Sequence, residues 1–224
     1  SLRPLPLAVE TRIDPDEPLV KACQEPDSDR FEAAFEGLYL RYRDRVYGIA
    51  FRITGSSTDA LDVAQESFSL LFRKVANFRF QSLFSTWLFR IVVNCSIDHI
   101  RGERSKSRRA ASLSLLDGSS EPHADDAVSP IERAQVSELE AHVQGGIQKL
   151  SPKLRAILVL RYLEGLSYEE LTQALDISMG TVKSRLARAH VALERVLSGT
   201  LTTFGYPEGP GTEDAGSGTS EGVA

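Results

Sequence analysis

SYEELTQALDISMGTVKSRLARAHVALERVL, residues 167–197, divides into a short helix, a tight turn and a longer helix. Ser167 followed three residues later by Glu170 makes a capping box, so the first helix begins at Tyr168. Leu171 and Leu175 stand one above the other on its inner face. Asp176 falls where the chain must turn, a place best suited to Gly, although Asp tolerates left-handed dihedrals better than most residues. Ser178 can cap the second helix, along which Val182, Leu186, Ala189 and Leu193 form an inward stripe.

Outward on the second helix lie Gly180, Lys183, Ser184, Ala187 and Arg188, with Arg185 at the flank. Cations separated by small residues suit a helix that enters the DNA major groove. Arg and Lys reach guanine edges or phosphates there, and small side chains let the backbone approach. A solvated basic face on an ordinary helical hairpin has the same composition, so this stretch alone leaves both readings open.

The net charge of −5 is unusual for a nucleic-acid binder until it is divided along the chain. Residues 30–109 carry fourteen cations against eight acids, and residues 147–197 carry eight against five. The acids concentrate in residues 1–29, 110–146 and 198–224. Two basic blocks are therefore set between acidic connectors, giving two candidate nucleic-acid surfaces. Cys23 and Cys95 lack CxxC spacing, and His99, His123, His142 and His190 are scattered, so no metal site or disulfide framework is expected. No phosphate loop or nucleophile–base pair is visible, which gives no catalytic residue and no cofactor. No apolar run approaches the roughly 18 residues of a membrane span, so membrane insertion is not expected and the cytoplasm is the expected compartment.

Taken in order, the chain predicts an all-α fold with two small helical domains joined by a flexible linker. Residues 1–29, rich in Pro and acids, are expected to be a disordered leader. Residues 30–109 form the first domain. A helix from Phe31 stops at Gly55, and a second, Asp59–Val75, has Leu61, Ala64, Phe68, Leu71 and Phe72 as its inner stripe. The loop 77–86, NFRFQSLFST, holds three aromatics among polar residues. Its rings either fold into the core or accept an unstacked base. The helix Thr86–Arg101 follows, and Arg101, Arg104, Lys106, Arg108 and Arg109 then suit a phosphate backbone. Residues 110–135 read as an acidic linker, 136–197 as the helix-turn-helix domain, and 198–224 as a disordered Gly-rich tail. Ser151-Pro152 opens a helix inside the second domain, and Gly165 stops it.

Three stretches in this order resemble bacterial RNA polymerase sigma factors of the extracytoplasmic-function type, in the sigma-70 family. DALDVAQESF (59–68) is similar to the second-region helix that grips the polymerase clamp. FRFQSLFSTWLFRIVVNCSIDHIR (78–101) resembles the loop and helix that capture the melted −10 element. LSPKLRAILVLRYLEGLSYEELTQALDISMGTVKSRLARA (150–189) resembles the fourth region, which reads the −35 element.

The resemblance implies a sigma factor whose partners are core RNA polymerase, promoter DNA and an anti-sigma factor. Asp59, Asp62, Gln65 and Glu66 would face the polymerase. Phe78, Arg79, Phe80, Gln81, Ser82 and Ser85 would take a flipped base of the −10 element. Asn94, Asp98, Arg101 and Arg104 would contact the melting point and backbone. Gly180, Thr181, Lys183, Ser184, Arg185 and Arg188 would meet the −35 element. Phe80 and Asp176 stand where the family usually has Gly. The rival reading is a stand-alone helix-turn-helix regulator, which would bind duplex DNA tightly without polymerase.

Overall fold

The computed structural model describes residues 14–25, 29–117 and 138–201, and the regular elements among them are all helical. The first module contains α1 (Glu17–Cys23), α2 (Phe31–Thr54), α3 (Ser57–Lys74) and α4 (Phe84–Asp117). In α2, Ala34, Leu38, Tyr42, Val46, Ile49 and Ile53 recur at helical steps, and all are buried. The helix stops at Gly55, whose φ of 89° takes the left-handed turn while its N–H donates to the Phe51 carbonyl at 2.8 Å. Ser56 caps α3 by accepting from the Asp59 N–H at 3.2 Å. A 3-10 turn, Val75–Asn77, leads into the aromatic loop before α4 begins. Phe84 and Phe89 of α4 are fully buried, each worth roughly 1.5–3 kcal/mol.

The second module contains α5 (Glu138–Gln148), α6 (Pro152–Leu158), α7 (Tyr168–Leu175) and α8 (Met179–Leu201). Ser151 stands at the N-cap of α6 and Pro152 opens the helix as expected, although the Ser151 side chain makes no capping bond. A π turn, Val159–Leu163, follows, and Gly165 then reverses the chain with φ 71°. The reciprocal bonds of the capping box between Ser167 and Glu170 are both present. Asp176 ends α7 with φ 53°, and Val182, Leu186 and Ala189 of α8 are buried as the stripe required.

Sequence-based expectations fail at four places. Part of the leader is folded: α1 carries Val20 and Cys23 with zero exposure, and Asp14 and Asp16 are buried. The acids that read as disorder have partners, since Asp16 accepts from the Tyr42 hydroxyl and the Arg41 guanidinium. The first residues of the linker expected from residue 110 are helical, because α4 continues to Asp117. Its AASLSLL run contains good helix formers, and no Gly or Pro intervenes before Gly118; α8 similarly reaches Leu201, inside the expected tail. Finally, α3 turns Ala60, Val63, Ser67 and Leu71 to the core, whereas Leu61 and Phe72 are 62% and 53% exposed. Two apolar stripes run along this helix, and only one can face inward. The expectations for residues 1–13, 26–28, 118–137 and 202–224 lie outside the described residues.

The two modules are docked. Arg155 is buried and donates from Nε to the Leu150 carbonyl at 2.9 Å and from Nη1 to the Ile53 carbonyl at 2.6 Å. It also donates to the side-chain and main-chain oxygens of Gln148, whose Nε2 donates to the Arg52 carbonyl at 2.8 Å. These carbonyls at the end of α2 have no partner within the helix, and a cation there is favoured by the helix dipole. Burial lowers the Arg155 pKa from its ordinary value, and nearby Arg104 adds to the shift.

Candidate nucleic-acid interface

The outer face of α8 is built on its buried stripe. Ser178 Oγ accepts from the Thr181 N–H at 3.2 Å, so the first turn is capped without using the outward residues. Gly180, Lys183, Ser184, Ala187 and Arg188 are exposed together, while Thr181 is half-buried. Arg188 Nε donates to the Ser184 carbonyl at 3.3 Å, a weak contact that leaves most of its guanidinium donors available. Arg185 is half-buried at the flank and lines a cleft with Asn94, Asp98 and Arg101 of the first module. Burial first, and Arg188 second, lower the Arg185 pKa.

The aromatic loop divides its residues between core and surface. Phe78 is buried at 6% exposure, with its ring centroid 4.9 Å from Phe80, 4.9 Å from Trp87 and 5.9 Å from Phe84. The ring of Phe78 is thus a support and not a free platform. Arg79 and Gln81 are exposed, and Phe80, Ser82 and Ser85 are half-buried. Phe80 has φ 54°, so the position where the resemblance expects Gly does take a left-handed backbone.

A cleft of about 730 Å³ opens beside this loop, and Trp87 and Arg90 of α4 line it with Arg79, Gln81 and Ser82. The sequence alone did not single out Trp87 and Arg90 as site residues. Thr172, Asp176 and Ser178 of the helix-turn-helix form its other wall, and Arg90 Nη2 lies 2.9 Å from Asp176 Oδ2. Further along α4, Asn94, Asp98, Arg101 and Arg104 are exposed at three- and four-residue steps. Asp98 Oδ1 is 3.4 Å from Arg101 Nη1, and Lys106 Nζ is 2.8 Å from Glu103.

Elsewhere on the first module, α3 presents Asp62, Gln65 and Glu66 to solvent. Asp59 differs, lying 3.2 Å from His99 Nε2 at the base of the helix. Beside the polar trio runs an apolar groove of about 920 Å³, lined by Phe35, Tyr39, Leu61, Ala64, Phe68 and Phe72. The edge-on rings of Phe35 and Phe72, 5.3 Å apart, help to build it. Exposed apolar groups gathered this densely are characteristic of interaction surfaces and ligand-binding grooves. Sequence reasoning placed Leu61, Ala64, Phe68 and Phe72 in the core; the usable signal was an apolar surplus on α3 too wide for one stripe.

Comparison with known proteins matches residues 38–106 to sigma-70 region 2 and residues 143–193 to sigma-70 region 4. The RNA polymerase sigma-H factor of Pseudomonas aeruginosa is 37% identical over 191 residues, covering 83% of this chain and 95% of that protein. The ECF RNA polymerase sigma factor SigW of Bacillus subtilis is 33% identical over 180 residues, covering 80% and 94%. Among solved structures, CnrH in complex with the cytosolic domain of CnrY is similar in fold, with a TM-score of 0.58 at 22% identity. It spans 82% of this chain and 97% of that one. The sigma factor RpoE with the anti-sigma factor NepR from Bartonella quintana gives 0.54 at 23% identity, spanning 73% and 96%.

Proposed function

This chain belongs to the extracytoplasmic-function sigma factors of the sigma-70 family, which direct RNA polymerase to promoters, and from that premise we propose how its surfaces divide the work. The outer face of α8, with Gly180, Thr181, Lys183, Ser184 and Arg188, reads the −35 element in the major groove. Arg185 joins that face once the modules separate. Arg79, Phe80, Gln81, Ser82 and Ser85, supported by Phe78, take a flipped base of the −10 element. Asn94, Asp98, Arg101 and Arg104 hold the melting point and the adjoining backbone. Asp62, Gln65 and Glu66, with Asp59 at their base, and the apolar groove beside them dock on core polymerase.

The observation that best supports this division is the separation of the surfaces. The groove beside the polar trio of α3 and the cleft beside the loop share no lining residue. Polymerase can therefore be bound without covering the base-capture loop. Opening proceeds as a binding equilibrium: an unstacked base is held, and no bond is made or broken. The chain acts as a non-enzymatic initiation factor in the cytoplasm, where its polymerase works. An anti-sigma factor, such as the NepR complexed with RpoE from Bartonella quintana, is the expected antagonist.

The test is reconstituted transcription. Core polymerase with this chain initiates at a promoter carrying both elements. Asn94→Ala lowers permanganate reactivity at the −10 element more than it lowers closed-complex binding. Equal opening by wild type and Asn94→Ala removes Asn94 from the melting step.

A further inference from the structure

We infer that Asp14 and Gln24 are positioning residues for strand opening, gripping the two ends of the base-capture loop; this rests on the role proposed above for residues 78–85. Gln24 Nε2 donates to the Phe78 carbonyl at 2.7 Å and to the Val75 carbonyl at 3.3 Å. At the other end, Asp14 Oδ2 accepts from the Phe84 N–H at 2.6 Å, while Oδ1 accepts from the Asp16 N–H at 3.0 Å. Phe84 is the first residue of α4, so Asp14 caps that helix from a distant part of the sequence. Residues 79–83 hang between these two pins.

The pins are themselves fixed. Asp14 is buried, α1 is anchored by Val20 and Cys23, and Asp16 is held by Arg41 and Tyr42. The Tyr42 ring in turn meets Phe84 edge-on at 5.6 Å. A loop that carries Phe80 in a left-handed conformation needs its surroundings to over-determine it. A loop already ordered also loses less conformational entropy when it captures a base. The segment matching sigma-70 region 2 begins at residue 38, so both pins come from outside it.

Asp14→Ala leaves the buried Phe84 N–H without its acceptor, whereas Asp14→Asn keeps an oxygen there while turning its amide nitrogen toward the Asp16 N–H. Gln24→Glu replaces the donor with an acceptor facing the Phe78 carbonyl. Each full-length variant is combined with core polymerase on a promoter fragment located by mapping transcript 5′ ends made by wild-type holoenzyme on genomic DNA. Permanganate reactivity at the −10 element reads opening, and a gel shift reads closed-complex affinity. Asp14→Ala and Gln24→Glu lower opening roughly five- to tenfold, the scale of one lost hydrogen bond. Closed-complex affinity stays as in wild type, and Asp14→Asn, which keeps one of the two accepted bonds, recovers part of the opening that Asp14→Ala loses. Val46→Ala destabilises the module from the α2 core without touching the loop, and it opens as wild type does. Loss of opening in Val46→Ala equal to that in Asp14→Ala, or full opening by both pin variants, overturns the bracing role. A wild-type holoenzyme that maps no start site overturns base capture itself, and bracing with it.

Discussion

Arg155 in the helix-turn-helix module donates to the main-chain carbonyl of Ile53 at the end of α2, 2.6 Å away across the junction between modules. Its second arm and Gln148 satisfy neighbouring groups, so the end of one module's helix is capped by the other. Arg155→Ala leaves buried carbonyls unpaired and lowers stability by about 1–3 kcal/mol in urea unfolding. Arg155→Lys recovers little, because one ammonium cannot span sites arranged for a planar fork. Trp87, the chain's single tryptophan, lines the cleft between the modules and reports on docking. Its quenching by acrylamide rises in Arg155→Ala before global unfolding begins.

Docked modules cannot span a promoter. Arg90 and Asp176 are 2.9 Å apart, whereas elements at −35 and −10 are separated by about two turns of duplex, roughly 70 Å. Promoter binding therefore breaks the Arg90–Asp176 contact. Both side chains are substantially exposed, and removing such a pair alone changes stability by less than about 1 kcal/mol. Arg90→Ala is expected to unfold close to wild type in urea while raising the quenching of Trp87.

The left-handed positions give a graded test. Asp176 has φ 53°, a conformation that costs an ordinary L-residue roughly 1–2 kcal/mol and Gly nothing comparable. Stability measured by thermal unfolding should rank Asp176→Gly highest, Asp176→Asn near wild type, and Asp176→Ala about 1 kcal/mol below it. The reverse order would show that the Asp176 side chain, not its backbone, sets the turn.

The apolar groove separates binding from folding. Leu61→Glu places charge on a surface already 62% exposed, so the unfolding midpoint should move little, whereas Phe72→Glu also gives up edge-on contacts with Phe31 and Phe35 and lowers it modestly. Affinity for core polymerase, measured by fluorescence anisotropy, should fall on the order of tenfold or more if these side chains form the packed centre of that interface. Leu71→Ala, fully buried on the same helix, is expected to do the opposite, costing about 2–5 kcal/mol of stability.

On the −35 side, Arg188→Ala should weaken binding by roughly 1–3 kcal/mol and relax specificity at one base position. Lys183→Ala should weaken binding evenly across sequences and reduce the salt slope by about 1. Holoenzyme titrations at several salt concentrations distinguish the two.

The helix-turn-helix was legible because its signals are local. The Ser167–Glu170 box, the Asp176 turn and the Val182–Leu186–Ala189 stripe each depend on residues within a few turns of one another. The loop's aromatic core was legible too, since three rings in ten residues must find burial somewhere. What escaped was decided by distant partners. Asp14 and Asp16 read as solvating acids until Phe84, Tyr42 and Arg41 come to meet them. Leu61 and Phe72 fit a helical stripe as well as Val63 and Leu71 do; only the position of α2 and α4 selects which stripe is covered. Arg155 sits amid an apolar run, and nothing nearby in sequence indicates that it caps a helix a hundred residues earlier.

Dependence on polymerase is tested most directly by a gel shift on one promoter fragment at physiological salt, with the purified chain alone and with core polymerase added. A stable, sequence-specific complex is expected only when polymerase is present, because each module offers a small basic surface and their docking holds the two readers together. Tight specific binding by the chain alone, unchanged by polymerase, would contradict it and identify a stand-alone regulator.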